Sequence, residues 1–289
     1  MSTYVVLVSA SPLGSLIERN RSFAEQTPLL GEAARAQFAL ARPVAKIPAV
    51  NEAVLEQDHA KVLELLVSGV DANTAWQHWK PVLLAVYFKD LSMLKLLIAY
   101  NGDVNATSDT FEGDDGQPPN HLSALMIAAE EGYLEIVRCL LENDANVDVV
   151  DTGEGGTPMA MAAQGGHLEI VKLLVAKGAK VDGPTAACRT PLFAATLAGH
   201  VAIVEFLLAK EALVDLGDAE DSMTPLGVAA QKGHVKLVKI LIAHGACANA
   251  CATKNLNPRV KKIIQDAVIY QRREREKKKR FNSQVLAFI

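Results

Sequence analysis

Three stretches of this chain align on one another at an almost constant period, and that repetition narrows the possible folds to a few. The first runs from Thr157-Pro158-Met159 to Gly165-Gly166-His167, the second from Thr190-Pro191-Leu192 to Gly199-His200, and the third from Thr224-Pro225-Leu226 to Gly233-His234. The histidines step by 33 and then 34 residues. Each is followed by an aliphatic run: Ile170-Val171 to Leu173-Leu174, Ile203-Val204 to Leu207-Leu208, and Leu237-Val238 to Leu241-Ile242. Self-similarity at a period of 20–50 residues means stacked units, none of which buries its apolar face alone.

Each unit reads as a pair of helices. Thr caps the first helix and Pro occupies its first position, where a missing N–H costs nothing. Alanine pairs keep that helix thin, so neighbouring units can approach closely. The glycine before the histidine suits the left-handed position that ends a helix. The second helix carries apolar residues at i, i+3 and i+4, and in two copies ends at Gly178-Ala179 or Gly245-Ala246. Composition agrees: half the residues are hydrophobic but only 5% aromatic, which suits thin helical layers. Leu173 and Leu207 read as core positions whose truncation costs about 2–5 kcal/mol.

The pattern resembles the ankyrin repeat, with its threonine-proline-leucine-histidine opening and glycine-histidine middle. Looser copies extend it upstream. Ser123-Ala124-Leu125 to Gly132-Tyr133 forms a third unit, Lys80-Pro81-Val82 to Ala85 opens a second, and Val62 to Leu66 with Gly69 and Asn73 closes a first. Downstream, Asn257-Pro258 starts a capping helix with the stripe Val260, Ile263, Ile264, Ala267 and Val268. The resemblance covers roughly residues 50–270 and implies an all-α solenoid of about six helix-turn-helix repeats with β-hairpin-like loops. Its expected division is an N-terminal cap (1–48), the repeats (49–250) and a capping helix with a basic tail (251–289). There are departures. The family's histidine in the first helix is replaced by Met126, Ala160, Phe193 and Gly227. The first repeat reads one residue short in its second helix, and about ten extra residues, Thr107 to Pro118, separate the second and third repeats.

In ankyrin arrays the binding surface is the concave side, built from hairpin tips and the exposed positions of the first helix. Carried onto this sequence, those positions are Trp76, Gln77, Trp79, Tyr87 and Phe88 in the second repeat, and Asn120, Leu122, Glu130 and Glu131 in the third. The fourth contributes Glu154, Gly156, Gln164 and Gly165, and the fifth Ala187, Arg189, Leu197 and Ala198. The sixth contributes Glu220, Asp221, Met223, Gln231 and Lys232. Both tryptophans of the chain fall in the second repeat beside Tyr87 and Phe88, the composition of an interface hot spot. Two readings stay open: these aromatics meet a partner, or residues 1–48 or 107–118 cover them. Asn73, Asn105 and Asn249 sit where some ankyrin proteins are hydroxylated.

Outside the repeats, Thr27-Pro28 followed by Gly31 to Arg42 reads as a capped, Ala-rich helix suited to shielding the edge of the first repeat. The insertion carries Asp109, Glu112, Asp114 and Asp115 with two glycines, an acidic loop without calcium-loop spacing. Near the C-terminus, Arg272, Arg273, Arg275, Lys277, Lys278, Lys279 and Arg280 interleave with two glutamates for a net +5, leaving −9 on the rest of a chain whose total is −4. Such a run suits a nuclear address, a nucleic-acid or acidic-protein contact, or a solvated helix extension. It is followed by an apolar end, Phe281 and Val285 to Ile289.

Catalytic and metal motifs are missing. His59, His167, His200 and His234 recur at the repeat's turn, as parts of the fold. Cys247 and Cys251 lack histidines at zinc-finger spacing, and the four cysteines are scattered as reduced thiols would be. Gly153 to Gly156 lacks the Lys-Ser/Thr of a phosphate loop, and there is no Gly-x-Ser-x-Gly or His-Glu-x-x-His. No apolar run reaches the roughly 18–20 residues of a membrane span, and the first 17 residues carry no Lys or Arg for a secretory leader. The expectation is a non-catalytic, cofactor-free adaptor or scaffold that is cytoplasmic or nuclear and binds a protein through the concave groove. The alternatives are a nuclear or ribonucleoprotein-associated regulator whose basic tail meets nucleic acid, and a fixed structural subunit of a large assembly.

Overall fold

The computed structural model describes residues 47–76, 79–109, 121–151, 156–183, 189–217, 223–250 and 257–288. The expected N-terminal helix over 31–42, most of the acidic insertion, and Gln77, Asn120, Glu154, Ala187, Glu220 and Asp221 lie outside them. Thirteen α-helices stand among the described residues. The first twelve form six antiparallel pairs: α1 (Ala49–Leu55) and α2 (His59–Val67), α3 (Pro81–Tyr87) and α4 (Leu91–Ala99), α5 (Ala124–Glu130) and α6 (Leu134–Glu142). The others are α7 (Pro158–Gly165) and α8 (Leu168–Ala176), α9 (Pro191–Ala198) and α10 (Val201–Ala209), α11 (Pro225–Lys232) and α12 (Val235–Ala243). A short 3₁₀ turn (Ala248–Ala250) and the long α13 (Pro258–Phe288) follow. The described residues form an all-α solenoid with few strands.

Local chemistry sets the ends of each helix. The hydroxyls of Ser123, Thr157, Thr190 and Thr224 accept from the backbone N–H three residues on, at 3.1–3.2 Å, which caps α5, α7, α9 and α11. Asp58 and Asp90 cap α2 and α4 in the same way. Every first helix is closed by a residue with positive φ: Gln57, Lys89, Gly132, Gly166, Gly199 and Gly233. Every second helix is closed by another twelve positions on: Gly69, Asn101, Asp144, Gly178, Glu211 and Gly245. Each pair thus reverses direction at the same two points, whichever residue stands there.

All six second helices have nine residues, so the first repeat is not short there. The apparent shortfall arises from aligning His59 with the turn histidines. His167, His200 and His234 are the caps preceding α8, α10 and α12, and Asp58 holds that place in the first repeat. His59 is instead the first residue of α2, with Nε2 2.9 Å from the Asp90 carboxylate.

The first helices bury almost every residue on contact with their neighbours, Leu83, Leu84, Met126, Ala162 and Ala195 among them. The second helices bury one stripe, such as Leu94, Val137, Val171, Val204 and Val238, and turn charged residues outward. Buried side chains form one continuous core from Val50 to Ala267. Leu207 belongs to it, whereas Leu173 is half-buried at its margin and less of a core residue than its spacing suggests.

A second set of bonds joins the repeats along the hairpins. Asn73 Oδ1 accepts from Asp103 N at 2.7 Å, Asn105 from Asn146 N at 2.8 Å, and Asp148 from Lys180 N at 3.0 Å. Asp182 accepts from Leu213 N and Asp215 from Cys247 N, both at 2.9 Å. One carboxamide or carboxylate per repeat thus satisfies an amide of the next. Asn73 and Asn105 also donate from Nδ2 to the carbonyls of Asn101 and Asp144. The series ends on α13. Gln271 donates to Ala246 O at 2.7 Å and accepts from Ala248 N at 3.2 Å, while Val260, Ile264 and Ala267 are buried.

The acidic insertion does not start as a loop. Thr107–Asp109 is strand β1, paired antiparallel with β2 (His121–Ser123) in the register Thr107 to Ser123, Ser108 to Leu122 and Asp109 to His121.

Candidate functional site

Each first helix ends in two residues at the same place in its repeat. From the second repeat to the sixth these are Tyr87 and Phe88, Glu130 and Glu131, Gln164 and Gly165, Leu197 and Ala198, Gln231 and Lys232. All ten are half-buried or exposed, whereas the residues just before them are buried nearly throughout. The stacking therefore presents one row whose chemistry runs from aromatic through acidic, amide and aliphatic to cationic. All ten are the first-helix positions singled out from the sequence.

The hairpin positions fare differently. Trp76 and Leu122, expected on the exposed edge, are each only 5% exposed. Trp76 and Trp79 exchange both backbone hydrogen bonds at 3.0 Å, and this short turn sets Trp76 into the core while Trp79 stays half-buried against it. Leu122 is the middle residue of β2, and its carbonyl accepts from Ser108 Oγ at 3.4 Å. Arg189 and Met223 are half-buried where the chain enters α9 and α11.

The remaining aromatics form a connected group. The Trp79 and Tyr87 rings meet edge-on at 5.6 Å between centroids, and Tyr87 meets Phe88 likewise at 5.4 Å. The ammonium of Lys89 lies 5.0 Å from the centre of the Tyr133 ring, and the Tyr133 hydroxyl donates to Glu131 at 3.5 Å. Aromatic and acidic groups from two repeats thus share one surface, with a cation–π contact across the seam.

Two ties behind this row were not read from the sequence. Asn51, fully buried in α1, donates from Nδ2 to the carbonyl of Trp79 at 3.2 Å, which holds the hairpin carrying both tryptophans. The hairpin Asn/Asp series was the other. Its signal was present: Asn73, Asn105, Asp148, Asp182, Asp215 and Asn249 each stand four residues after the turn that closes a second helix.

On α13, Arg272, Arg273, Arg275 and Lys277 are exposed. Arg272 pairs with Glu276 at 3.3 Å and Lys277 with Glu274 at 2.8 Å, and the Glu274 contact raises the Lys277 pKa. The Arg275 guanidinium lies 3.9 Å from Cys247 Sγ. The helix continues through Lys278, Lys279 and Arg280, whose side chains fall outside the described ones.

Among the described residues no group of three or more His, Cys, Asp or Glu is placed to hold a metal ion. His167 and His200 instead direct Nε2 at the carbonyls of Glu130 and Gln164, at 2.9 and 3.0 Å. No helix of the described residues is long and apolar enough to cross a membrane.

No curated protein matches the chain. Residues 50–151, 108–185, 125–218 and 183–252 each match the family model described as ankyrin repeats in three copies. These matches span most of the chain and coincide with the six helix pairs, and the chain belongs to the ankyrin-repeat family.

Proposed function

We propose that this protein is a non-catalytic adaptor or scaffold that docks a protein partner on the row of first-helix ends, centred on Tyr87, Phe88, Glu130 and Glu131. Ankyrin repeats generally mediate protein–protein interaction, and the family is typically non-catalytic. The observation that carries the reading is the contrast within each repeat. Caps, turns and buried positions recur from unit to unit, while the two accessible residues at each first-helix end change character entirely. Binding specificity in a stacked array resides in the positions that stacking leaves open.

The aromatic end supplies area with little rotamer freedom to lose. Glu130 and Glu131 beside it favour a partner segment that presents an apolar side chain next to a basic one. Trp79 acts as a support beneath Tyr87 rather than as a contact.

The test is capture from native cell extract by the full chain and by variants, read by mass spectrometry. Tyr87→Ala with Phe88→Ala, and separately Glu130→Lys with Glu131→Lys, should each deplete the same captured proteins. Capture unchanged by both pairs would refute the docking row.

A second reading rests on the exposed cations of α13, which suit a nucleic-acid or acidic-protein contact. Retention on an RNA or DNA column that falls steeply with salt and vanishes with Arg273→Ala and Arg275→Ala supports it; absence of retention at low salt removes it.

A further inference from the structure

The first repeat departs from the other five in two ways that point in opposite directions. On the side facing outward from the array, its stacking positions are polar. Glu52 stands where the other first helices carry Leu84, Ile127, Met161, Ala194 and Val228, and Lys61 where the other second helices bury Met93, Ile136, Ile170, Ile203 and Leu237. Both Glu52 and Lys61 are exposed. The edge expected to need a shield is therefore already compatible with water.

The solvent face of α2 is the reverse. At its fifth position the other second helices expose Lys95, Arg138, Lys172, Glu205 and Lys239. The first repeat has Leu63 there, 42% exposed, with Val67 one turn on at 66%. Ala60 completes the stripe at i−3. Val70 lies just beyond the end of α2, and Tyr100 at the end of α4, which the Asn73–Asn101 hydrogen bond holds alongside. Four of the seven large exposed hydrophobic residues among the described ones thus lie between the middle of α2 and the residues just past the ends of α2 and α4.

We infer that residues 29–40 of this same chain fold back over the Leu63–Val67 stripe of α2. The segment has an apolar face of its own, Leu30, Ala34 and Phe38 at i, i+4 and i+8 with Ala33 beside them. The connection also allows it. The chain enters α1 at Ile47, which packs on the core, and α1 runs antiparallel to α2, so this entry lies beside the Val67 end of α2. Six residues lie between Leu40 and Ile47; extended, the seven steps that join the two span about 23 Å, more than the roughly 14 Å length of α2. No other part of the chain outside the described residues joins the array at this point.

The experiment is hydrogen–deuterium exchange by mass spectrometry on the full chain, with its oligomeric state measured alongside. The variant is Leu63→Lys with Val67→Glu. It installs residue types that other repeats carry at those positions, Lys95 and Glu142, so α2 remains folded, and slow exchange in α2 itself verifies this. In the wild type the amides of 30–40 should exchange slowly, and in the variant at least about tenfold faster, with the chain monomeric in both. Free exchange of 30–40 in the wild type overturns the inference. So does protection that the variant leaves unchanged, and so does a wild-type dimer that the variant dissociates, which would give the stripe to a second copy.

Discussion

Nε2 of His167 lies 2.9 Å from the carbonyl oxygen of Glu130, 37 residues earlier and one repeat away. Glu130 heads the acidic part of the proposed docking row, so the turn of one repeat supports the binding surface of the one before. His200 repeats the relation with Gln164.

His200→Ala should therefore destabilise the array by about 1–2 kcal/mol, since a half-buried carbonyl loses its partner and the ring leaves a gap. Urea unfolding followed by circular dichroism measures it. A change below a few tenths of a kcal/mol would mean that the bond contributes nothing net.

Gly166→Ala should cost more than Gly178→Ala. Both glycines have positive φ, 83° and 89°, so each substitution bears the left-handed penalty of about 1–2 kcal/mol. A Cβ at Gly166 would also lie 2.7 Å from the His200 ring, whereas nothing stands within 4 Å at Gly178. The difference between the two should shrink in a His200→Ala background, a coupling that a double-mutant cycle reads directly.

Glu211→Gly should stabilise the protein by about 0.5–1 kcal/mol, because Glu211 holds φ at 64° where three other repeats use glycine. The gain appears as a higher thermal midpoint. A lower midpoint would show that Glu211 makes a contact that outweighs its strain.

Leu207→Ala should cost about 2–5 kcal/mol, and Leu173→Ala clearly less, because Leu207 is fully buried and Leu173 is not. Equal losses would contradict the placement of Leu173 at the margin of the core.

The Cys139 thiol is buried in α6, and that burial pushes its pKa above the ordinary value, with Lys95 opposing and Glu142 adding. The folded state thus holds this proton more tightly than the unfolded chain does. Its contribution is complete below the unfolded thiol pKa of about 8.5 and is lost as pH rises past it. Cys139→Ala should flatten the fall of the urea midpoint between about pH 8 and pH 10. At pH 8 an alkylating reagent should label Cys247, which is only half-buried, and leave Cys139 intact.

The repeat was legible because its punctuation is local. A Thr-Pro start, alanine pairs, a turn glycine and an aliphatic run each act within a few residues, so Thr157, Thr190 and Thr224 announced their helices without reference to the rest of the chain. The turns of the first three repeats were harder, because Gln57, Lys89, Asn101 and Asp144 occupy positive-φ positions where only neighbouring structure holds them. Likewise the accessible ends of the first helices followed from the period, while the hairpin residues did not.

By itself the sequence determined the unit and its number, since caps, turns and apolar spacing are properties of adjacent residues. Only the tertiary structure decided which side chains at the edges face water. Trp76 is buried because its backbone bridges to Trp79 and Asn51 of α1 holds the Trp79 carbonyl. Leu63 is exposed because the fifth position of each second helix faces away from its neighbours in the stack. Burial is settled by what packs alongside, and that neighbour lies far off in the chain.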